Sequence, residues 1–550
     1  MQLRICYHQL LEAGSKWSIN ILNKFNNNGL IPILETETIK ALEKEVFKSS
    51  EETWSAMQRV GLKTAQEILN DFSELKPSPE NFSVLVLCGK GKNGGDSLLT
   101  ADYVMRAMPR AFVSVILYTK RSKLDPLTER ALASIESRAT VHYLDGTFQE
   151  ALLQGILGPL IAAPEGLNIC LDGLLGLGFI PPLKKPMEQL INFINAHEGI
   201  DMRASIDLPS GASEINQGVY FNADFCYQAG VPKSFLFSQN ARYGRLRFID
   251  IGIVGAQESI DLNSNEYLAE KAYLRTLLKF RPAHVEKRKF GHLFIVGGSN
   301  FMPGALLMAV KAAVKSGVGL VTVFAPRSIV GGLSPQVPEA MWLSLPENNS
   351  GTIAAEAGEI VLSHQRHATA IIAGPGLGKS RDVEFAIQHL VQGSKVPMLL
   401  DADALMPRVL ELIQKGRCQT KDIILTPHLG EFLRMTKLES FKFNSRNLIN
   451  MIKSIGVTLV LKGPITRICD GQRVVMNTRG GPVLSRGGSG DLLAGIIGGQ
   501  LAQSPNHNPL SAATTGVLLH GLAAEKLAQE RGQIMVQTTE VLEYLPKVLR

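Results

Sequence analysis

Short apolar runs alternate with helical patterns through the first half of the chain. A first helical pattern carries Ile39, Leu42 and Val46 on one face, and a second covers residues 51–69. The short runs, which we predict to be strands, are residues 84–87, 113–117, 169–171 and 204–206. A helical pattern over 97–108 separates the first two runs, and this strand–helix–strand order predicts a parallel sheet.

A second alternating series occupies the rest of the chain. The segment 254–270 between the two series is polar and lacks apolar periodicity, which is typical of a connection between folded units. The predicted strands of the second series are residues 293–296, 318–324, 370–372, 398–400, 423–425 and 458–461. No internal repeat relates the two halves. The pattern therefore predicts an α/β protein of two domains, at residues 34–260 and 266–550, with a separate site in each.

Composition narrows the classes of partner. The 57 Lys and Arg against 50 Asp and Glu give a net charge of +7, but the basic residues form no long block, so we expect no nucleic-acid partner. The six cysteines contain no C-x-x-C pair, which argues against a disulfide framework or a zinc site. Prolines and acidic residues interrupt the most apolar stretch, 156–183, and the first 30 residues lack the core of a signal peptide. We therefore expect a cytoplasmic protein without a membrane segment.

Residues 487–491, Gly-Gly-Ser-Gly-Asp, open a predicted helix over 492–503. Consecutive small residues allow several backbone N–H groups to converge on one anion at the positive end of a helix. A carboxylate at Asp491 could take a proton from a hydroxyl that attacks the bound phosphate, although an acid in a first turn could also simply cap the helix. The segment predicts a phosphate site with a candidate catalytic base.

Three further loops are predicted at the same edge of the second sheet. Together with the phosphate loop they are residues 374–378, 426–431, 462–466 and 487–491. Lys462 suits the phosphates or the adenosine of a nucleotide, whereas His428 on its own is more often an ordinary histidine. Asp401 and Asp403 could contribute to a metal site, or they could simply end a strand and cap the next helix. Four loops on one edge favour a functional site there.

The glycine-rich loop of the first half admits a different interpretation. Residues 89–94 match G-x-G-x-x-G between a strand and a helix, so a dinucleotide-binding dehydrogenase is one hypothesis. A Rossmann fingerprint also has an acid after the second strand, where this chain has Lys120 and Arg121. Those cations would at best suit a 2′-phosphate.

The motifs of the second half resemble those of the NAD(P)H-hydrate dehydratases, which have a ribokinase-like fold. In chain order the motifs are GGSN-x-MPGA at 297–305, GPGLG, DADAL at 401–405, TPHLGE, KGPIT and GGSGD, and the resemblance covers residues 274–550. It implies phosphoryl transfer from ADP or ATP to the ring hydroxyl of a hydrated nicotinamide cofactor, followed by loss of phosphate to give NADH or NADPH. Phosphate leaves more readily than hydroxide, so a kinase-like site can drive a dehydration.

The same resemblance implies roles for individual residues. Those expected to touch the hydrated cofactor are Ala305, Gly376, His428 and Asp491, with Asp491 as the catalytic base. Those expected to hold ADP, which would bring Mg²⁺, are Lys462, Gly463, Pro464, Ile465, Thr466 and Gly490. Leu429 and Pro464 depart from the residues more common in the family.

Three segments of the first half, KNGGD at 92–96, DGLLGLG at 172–178 and SIDLPSG at 205–211, resemble the NAD(P)H-hydrate epimerase domain. The resemblance covers residues 34–253 and implies a Rossmann-like, three-layer α/β/α fold. It also implies a potassium ion, for which Asn93, Asp172 and Ser210 can supply hard oxygen ligands. The residues expected to line the hydrated nicotinamide are Lys92, Asn93, Gly94, Gly95, Asp96, Gly176, Leu177, Gly178, Phe179, Ile180, Pro181, Pro182 and Asp207.

Asp207 is the candidate for proton transfer during epimerisation. The reaction needs little catalytic power because the hydroxyl lies on a carbon next to the ring nitrogen, which can help to expel and recapture it. The epimerase family usually has Asn where this chain has Lys92, and Gly where it has Ser97, so a cation lies beside the expected ion site.

Together the patterns and the resemblance predict a bifunctional repair enzyme. The first domain would interconvert the R and S forms of NADHX and NADPHX, and the second would dehydrate the S form with ADP, releasing AMP and phosphate. We also expect a homo-oligomer. The alternatives are a small-molecule kinase of the hydroxymethylpyrimidine kinase type with a non-catalytic N-terminal domain, and a nucleotide-binding sensor without turnover.

Overall fold

The computed structural model describes residues 29–214, 218–238, 243–253, 264–503 and 508–550. The chain divides into two compact units, one formed by Ile31–Ser264 and the other by Asn265–Arg550 together with a short stretch that ends at Leu30. A short strand, β1 (Leu30–Pro32), lies at the boundary between them. Residues 254–263 of the connection predicted at 254–270 lie outside the described residues, as do residues 1–28 of the segment in which we predicted no signal peptide. The prediction of an irregular connection is wrong at its end, where Glu266–Ala269 forms a strand.

A parallel sheet forms the centre of the first unit. Its strands are β2 (Ser83–Cys88), β3 (Phe112–Leu117), β4 (Thr140–Tyr143), β5 (Leu167–Gly173), β6 (Ile200–Ile206), β7 (Phe225–Ala229) and β8 (Arg245–Ile249). Their spatial order is β4-β3-β2-β5-β6-β7-β8, and each neighbouring pair is parallel. The chain builds outward from β2 in one direction and then from β5 in the other, which makes β2 and β5 the switch point of the sheet.

Helices cover both faces of this sheet. They are α1 (Thr36–Val46), α2 (Ser50–Phe72), α3 (Lys92–Ala107), α4 (Pro126–Ile135), α5 (Glu150–Ala162) and α6 (Lys185–Asn195). Val84 and Val86 of β2 join a core cluster with α1 to α4, whereas Leu85 and Leu87 join a second cluster with α5 and α6. Every residue of β2 is buried, as expected for a strand between two helical layers. The predicted three-layer α/β/α arrangement is confirmed.

The start of α3 differs from the prediction. The pattern placed the helix at 97–108, but it begins at Lys92, so that the KNGGD segment forms its first turn. The two glycines allow this, because a Cβ at Gly94 would collide with the carbonyl oxygen of Gly89 and one at Gly95 with the Met57 side chain. Apolar periodicity could not reveal a helical turn that contains no apolar residue.

The second unit is also a three-layer α/β domain. Its strands are β9 (Glu266–Ala269), β10 (His292–Val296), β11 (Leu320–Pro326), β12 (Met341–Leu345), β13 (Ala370–Ala373), β14 (Met398–Leu400), β15 (Ile423–Leu425), β16 (Thr458–Leu461), β17 (Thr466–Cys469) and β18 (Val474–Asn477). They follow the order β9-β18-β17-β16-β15-β14-β13-β10-β11-β12. The pairs of β16 with β17 and β17 with β18 are antiparallel, and the others are parallel.

The helices of this unit are α7 (Pro303–Lys315), α8 (Arg327–Leu333), α9 (Ala357–His364), α10 (Arg381–Gly393), α11 (Pro407–Gln414), α12 (Leu429–Thr436), α13 (Ser445–Ile455), α14 (Ser489–Gln503), α15 (Pro509–Arg531) and α16 (Val541–Val548). Leu293 and Ile295 of β10 pack in one core with α7, α14 and α15. Phe294 points to the other face, where it meets Phe324, which in turn contacts His364 of α9. Helix α14 is apolar on all sides because it lies buried within these layers.

A buried ion pair attaches α2 to the edge of the first sheet. Asp71, near the end of α2, accepts hydrogen bonds from Arg247 Nε at 3.0 Å and Arg247 Nη2 at 2.8 Å, and from the Tyr227 hydroxyl at 3.0 Å. The Asp71 and Arg247 side chains are each only 1% exposed. Burial of charge is costly unless the charge is paired, so neither residue can be removed alone without penalty.

We expect Arg247→Met to destabilise the first unit by about 3–5 kcal/mol, because it leaves the Asp71 carboxylate buried without its cation. Hydrogen exchange of α2 peptides in increasing urea would measure the loss. The matched control is Arg110→Met, whose partner Glu80 and whose own side chain are 69% and 65% exposed, and which should change stability by less than about 1 kcal/mol. Equal effects of the two substitutions would contradict the role of the buried pair.

Candidate active sites

The loops that follow β2 and β5 meet over a cleft of about 680 Å³ in the first unit. This is the position expected for a ligand site, beyond the carboxyl ends of the strands at the switch point of the sheet. Of the residues predicted to contact the hydrated cofactor, those that line the cleft are Lys92, Asn93, Asp96, Gly176, Leu177, Gly178, Phe179 and Asp207.

Five predicted contact residues do not line this cleft. Gly94 and Gly95 are buried beneath it, in the first turn of α3. Ile180, Pro181 and Pro182 follow Phe179 but are absent from the lining, and the Ile180 side chain is 83% exposed. Their predicted contact with the cofactor stays a prediction.

Asn93, Asp172 and Ser210, the predicted potassium ligands, lie together beneath the cleft. Asp172 Oδ1 accepts a hydrogen bond from the Ser210 hydroxyl at 2.5 Å, and Asp172 Oδ2 accepts one from the Ser210 backbone N–H at 2.7 Å. The Asn93 amide donates to the carbonyl oxygen of Leu175 at 2.7 Å, and the Ser210 hydroxyl accepts from the Leu175 N–H at 2.9 Å. Two loops and the start of α3 thus bring these oxygen-bearing side chains to one place.

One oxygen at this place has no partner among the described residues. Asn93 Oδ1 is buried without a hydrogen bond, which is unusual for a buried amide. Burial also raises the pKa of Asp172 to about 6, against the lowering effect of its hydrogen bonds from Ser210 and Leu174. Both observations fit a hard cation, which would satisfy the unpaired oxygen and favour the ionised carboxylate.

Asp207 enters the cleft from the end of β6 with a φ of 64°, a left-handed conformation that is uncommon for residues other than glycine. Its Oδ1 accepts hydrogen bonds from the Ala229 N–H at 3.3 Å and from the Lys233 ammonium. Lys233 is fully buried, and it also donates to the carbonyl oxygen of Ala229 at 2.8 Å. The sequence analysis did not find Lys233, because no spacing or motif indicates that it reaches a residue 26 positions earlier.

Two more carboxyl groups line the same cleft. Asp96 lies on α3 and Glu43 on α1. Burial, followed by the negative charges of Asp207 and Glu43, raises the pKa of Asp96 well above its usual range. Burial and Asp207 also raise the pKa of Glu43. Glu43 was missed from the sequence because α1 shows only an amphipathic pattern.

Lys462 is the central cation of the site in the second unit. Its Nζ lies 3.0 Å from Asp401 Oδ1 and 3.9 Å from Glu431 Oε2. It also lies beside Gly490, where an added Cβ would be 3.3 Å away. Burial alone would lower the pKa of Lys462, but Asp401, Glu431 and Asp491 outweigh it and the pKa is raised. The loop after β16 and the phosphate loop therefore meet, as predicted, and Lys462 stays charged.

Asp491, in the first turn of α14, has a strongly perturbed carboxyl group. Burial and the neighbouring Asp401 raise its pKa to about 7, although Lys462 acts in the opposite direction. A carboxyl group that titrates near neutral pH can both accept and return a proton, which is what general acid–base catalysis requires. The perturbation favours the catalytic interpretation over a simple helix cap.

His428 and the two aspartates at the end of β14 have structural partners. His428 caps α12, with Nδ1 accepting from the Glu431 N–H at 3.2 Å. Asp401 Oδ1 accepts from the Thr426 hydroxyl at 2.8 Å, and Asp403 Oδ2 accepts from the Gly378 N–H at 2.9 Å. Within the described ranges, no group of three or more His, Cys, Asp or Glu side chains could hold a metal ion.

The other predicted contacts of this site divide into two sets. Ala305 and Gly376 are adjacent, since a Cβ at Gly376 would lie 3.1 Å from that of Ala305. The segment 463–465 forms the turn between β16 and β17, and the hydroxyl of Thr466, the first residue of β17, donates to the Gly463 carbonyl oxygen at 3.3 Å.

His520 on α15 was not predicted from the sequence. Burial, and secondarily Lys462, lower its pKa to about 4, so its ring is neutral.

The phosphate loop is supported from the segment that precedes α16. Arg486 donates to the carbonyl oxygens of Gln533 and Val536, and the Thr538 hydroxyl donates to the Gly487 carbonyl oxygen at 3.0 Å. Gly488 has a φ of +86° and lies against Met308 of α7. Arg486 was not singled out from the sequence because its partners are backbone atoms about 50 positions later.

Comparison with known proteins finds a family match in each unit. A family model described as NAD(P)H-hydrate dehydratase matches residues 293–547, and one described as YjeF-related protein N-terminus matches residues 55–234. The chain is 31% identical over 511 residues to the bifunctional NAD(P)H-hydrate repair enzyme Nnr of Moorella thermoacetica, covering 90% of this chain and 92% of that protein. The chain belongs to the bifunctional NAD(P)H-hydrate repair enzyme family.

A second member of this repair enzyme family, from Coxiella burnetii, is 30% identical over 530 residues and covers 93% of this chain and 98% of its own. Among solved structures, an ADP/ATP-dependent NAD(P)H-hydrate dehydratase from Bacillus subtilis, co-crystallised with ATP and Mg²⁺, is 28% identical. It covers 51% of this chain and 96% of its own, with a TM-score of 0.43. The predicted two-domain α/β class is confirmed, and each family model falls on one unit of the repair enzyme.

In this repair enzyme, we expect Gly488→Ala to weaken binding of ADP and ATP by roughly tenfold or more. Its left-handed backbone costs about 1–2 kcal/mol for any other residue, and the new methyl group would collide with Met308. Isothermal titration with each nucleotide measures the effect. Gly487→Ala is the matched control, because a Cβ there meets nothing within 4 Å. Similar losses in both variants would contradict the special role of Gly488.

Proposed function

We propose that the first unit interconverts the R and S hydrates of NADH and NADPH, and that the second dehydrates the S hydrate with ADP, releasing AMP and phosphate. The observation that carries the proposal is the assembly around Asp491: a carboxyl group with a pKa near 7 beside a glycine-rich helix start and the Lys462 ammonium. Family membership supports the assignment of both reactions to one chain.

In the second unit, the backbone N–H groups at the start of α14 and the Lys462 ammonium would bind the transferred phosphoryl group and offset its charge. Asp491 would remove the proton from the ring hydroxyl as the phosphorus–oxygen bond forms. Loss of phosphate, assisted by the ring nitrogen, would then restore the reduced nicotinamide. Gly490 would lie against the nucleotide, and Ala305, Gly376 and His428 against the hydrated cofactor.

The nucleotide would be held by the loop from Lys462 to Thr466 through Gly463, Pro464 and Ile465. We expect Mg²⁺ to enter with ADP, since Mg²⁺ commonly takes one or two carboxylates together with substrate phosphates. It would neutralise phosphate charge there. The absence of a three-residue metal group among the described residues is consistent with this shared coordination.

In the first unit, Asn93, Asp172 and Ser210 would hold K⁺, and the unpaired Asn93 Oδ1 supports this assignment. The ion would supply a fixed positive charge for the substrate's polar groups. Lys92, Asp96, Gly176, Phe179 and Asp207 line the cleft that would receive the hydrated nicotinamide. Asp207 would take part in proton transfer.

The cellular location and the oligomeric state of the protein are also proposals. We propose that it acts in the cytoplasm, which is supported by the five described cysteines, all of them unpaired. No helix in the described part of the chain is long and apolar enough to cross a bilayer. We further propose a homo-oligomer whose substrates are NADHX, NADPHX and ADP.

The decisive experiment follows recovery of reduced nicotinamide absorbance when the protein meets mixed hydrate epimers with ADP or with ATP. We expect complete recovery, faster than spontaneous epimerisation permits, because both sites act on one pool. Recovery of only the S fraction would leave the first unit without its proposed activity. A stable phosphoester without NADH would instead favour a small-molecule kinase, and binding without turnover would favour a sensor.

The structure weakens the dehydrogenase hypothesis at Arg121, one of the two cations that could have met a 2′-phosphate. Its guanidinium lies 2.7 Å from a carboxylate oxygen of Glu129 and 2.7 Å from one of Glu136. It is thus already engaged in two ion pairs with acids from the region of α4. The family comparisons likewise place the first unit with the hydrate repair enzymes.

We expect the dehydration rate to rise with pH through about 7, because Asp491 can act as a base only when its carboxyl group is ionised. Lys462→Met should move this rise to higher pH, since it removes the cation that favours the carboxylate. Asp491→Asn should lower kcat by roughly 10²–10⁴-fold. Steady-state rates with purified S hydrate provide the measurement, and an Asp491→Asn variant with normal kcat would exclude Asp491 as the base.

A further inference from the structure

The cleft of the first unit contains three carboxyl groups in different electrostatic settings. Asp207 is paired with the buried Lys233 ammonium, whereas Asp96 Oδ1 is buried with no hydrogen-bond partner among the described residues. Glu43 faces them from α1. One carboxyl group of the pocket is therefore held by a cation, whereas another is buried with an unpartnered oxygen.

The position of Lys233 is fixed by its surroundings. Its backbone N–H donates to the Gln228 side chain at 3.0 Å, and the neighbouring Ser234 N–H donates to the Leu34 carbonyl oxygen at 2.9 Å. The side chain has no exposed surface and its ammonium bonds to both Asp207 and the Ala229 carbonyl oxygen. An ammonium buried in this way needs a carboxylate partner, so the ion pair fixes the position of the Asp207 side chain.

Asp96 has the opposite setting. It lies one turn into α3. The side chains that pack on the preceding residue, Gly95, are Met57 and Thr128 from the adjacent helices α2 and α4, and they bring no charge. The charged groups that act on it are Asp207, Glu43, Lys92 and Lys233. Burial and the two carboxylates outweigh the two lysines and raise the pKa of Asp96, which holds the proton on this group.

We propose that Asp96 is the proton donor of the epimerisation, and that Lys233 is a positioning residue that holds Asp207, the group that takes a proton, in the cleft. The inference rests on the proposed epimerase function. It adds to that function a general acid and a general base: one carboxyl group gives a proton and the other takes one.

Epimerisation would proceed by loss and return of water at one carbon of the hydrate. The carbon–oxygen bond of the hydrate breaks as the ring nitrogen lone pair forms a C=N⁺ bond, and the departing oxygen takes the Asp96 proton and leaves as water. Water then adds to the other face of the same carbon, and Asp207 takes its extra proton. The resulting Asp96 carboxylate and Asp207 carboxylic acid exchange that proton through water, which restores the starting state. Nothing is oxidised or reduced.

The experiment uses the full chain and purified R hydrate without ADP or ATP, so that dehydration cannot run, and follows formation of the S hydrate by chromatography. We expect Asp96→Asn to lower kcat by about 10²-fold or more with KM within about threefold of the original. Asp102→Asn is the matched control, since Asp102 is a buried acid of the same helix that pairs with Arg106 and lies outside the cleft. It should keep the original kcat.

Lys233 is tested by how its substitution divides between kcat and KM, which a general loss of structure would not divide in this way. Lys233→Met should lower kcat by roughly tenfold or more with KM within about threefold of the original, because Asp207 is no longer held by the ammonium. Lys233→Arg should restore most of kcat, because it keeps a cation beside Asp207. Hydrogen exchange of α3 and β6 peptides would identify a variant that has simply lost its fold.

The possible results distinguish failure of the Asp96 assignment from failure of the proposed epimerase function. If the unmodified protein does not exceed the spontaneous rate, the proposed epimerase function fails. If it does, yet Asp96→Asn retains kcat within about threefold, the proton is not carried by Asp96 and the inference is wrong. An unchanged kcat in folded Lys233→Met would remove Lys233 from the mechanism.

Discussion

A lysine ammonium, buried beside a carboxylate near the end of a parallel strand, organises each of the two sites. Lys233 meets Asp207 in the first unit, and Lys462 meets Asp401 in the second. In both places burial removes water that would otherwise solvate the ions, so the pairs must form. The pKa values of two neighbouring acids, Asp96 and Asp491, are both raised. Burial and the nearby carboxylates raise them by more than the lysines lower them.

The sheets make these encounters possible. The first sheet changes direction between β2 and β5, and the second changes direction at β10, which pairs with both β11 and β13. The loops that follow such strands diverge and leave a crevice at the carboxyl edge. Residues far apart in sequence therefore meet at this edge: Asn93 and Ser210 both bond to Leu175, and Lys462 contacts Asp401.

Catalysis and stability place opposite demands on these residues. The Arg247–Asp71 pair is enclosed, Asp71 accepts hydrogen bonds from both Arg247 and Tyr227, and the pair holds α2 to the edge of the sheet. In the first site, Asn93 Oδ1 and Asp96 Oδ1 are buried without a hydrogen bond among the described residues, and both residues line the cleft. Unpaired polar atoms of this kind are costly in a folded protein unless a ligand completes them. Their place in the cleft agrees with the proposed binding of substrate and ion there.

Sequence by itself determined the two α/β series, most of the central strands and the loops that carry chemistry, because these depend on local periodicity and on short motifs. It predicted Lys462 and the Asn93 loop from their positions after strands, Asp491 from its glycine-rich helix start, and Asp207 from the resemblance to the epimerase domain. It could not place the start of α3, which has no apolar residue in its first turn, nor strands such as β12 and β18.

The tertiary structure alone decided which charged groups meet. Lys233, Glu43 and Arg486 carry no local signal, since their partners lie on distant segments. The protonation of Asp96 and Asp491 was equally beyond the reach of the sequence, because it depends on burial and on the sum of nearby charges. The sequence thus specifies which ionisable groups exist and where along the chain they lie. Their pKa values depend on the burial and the neighbouring charges that folding gives them.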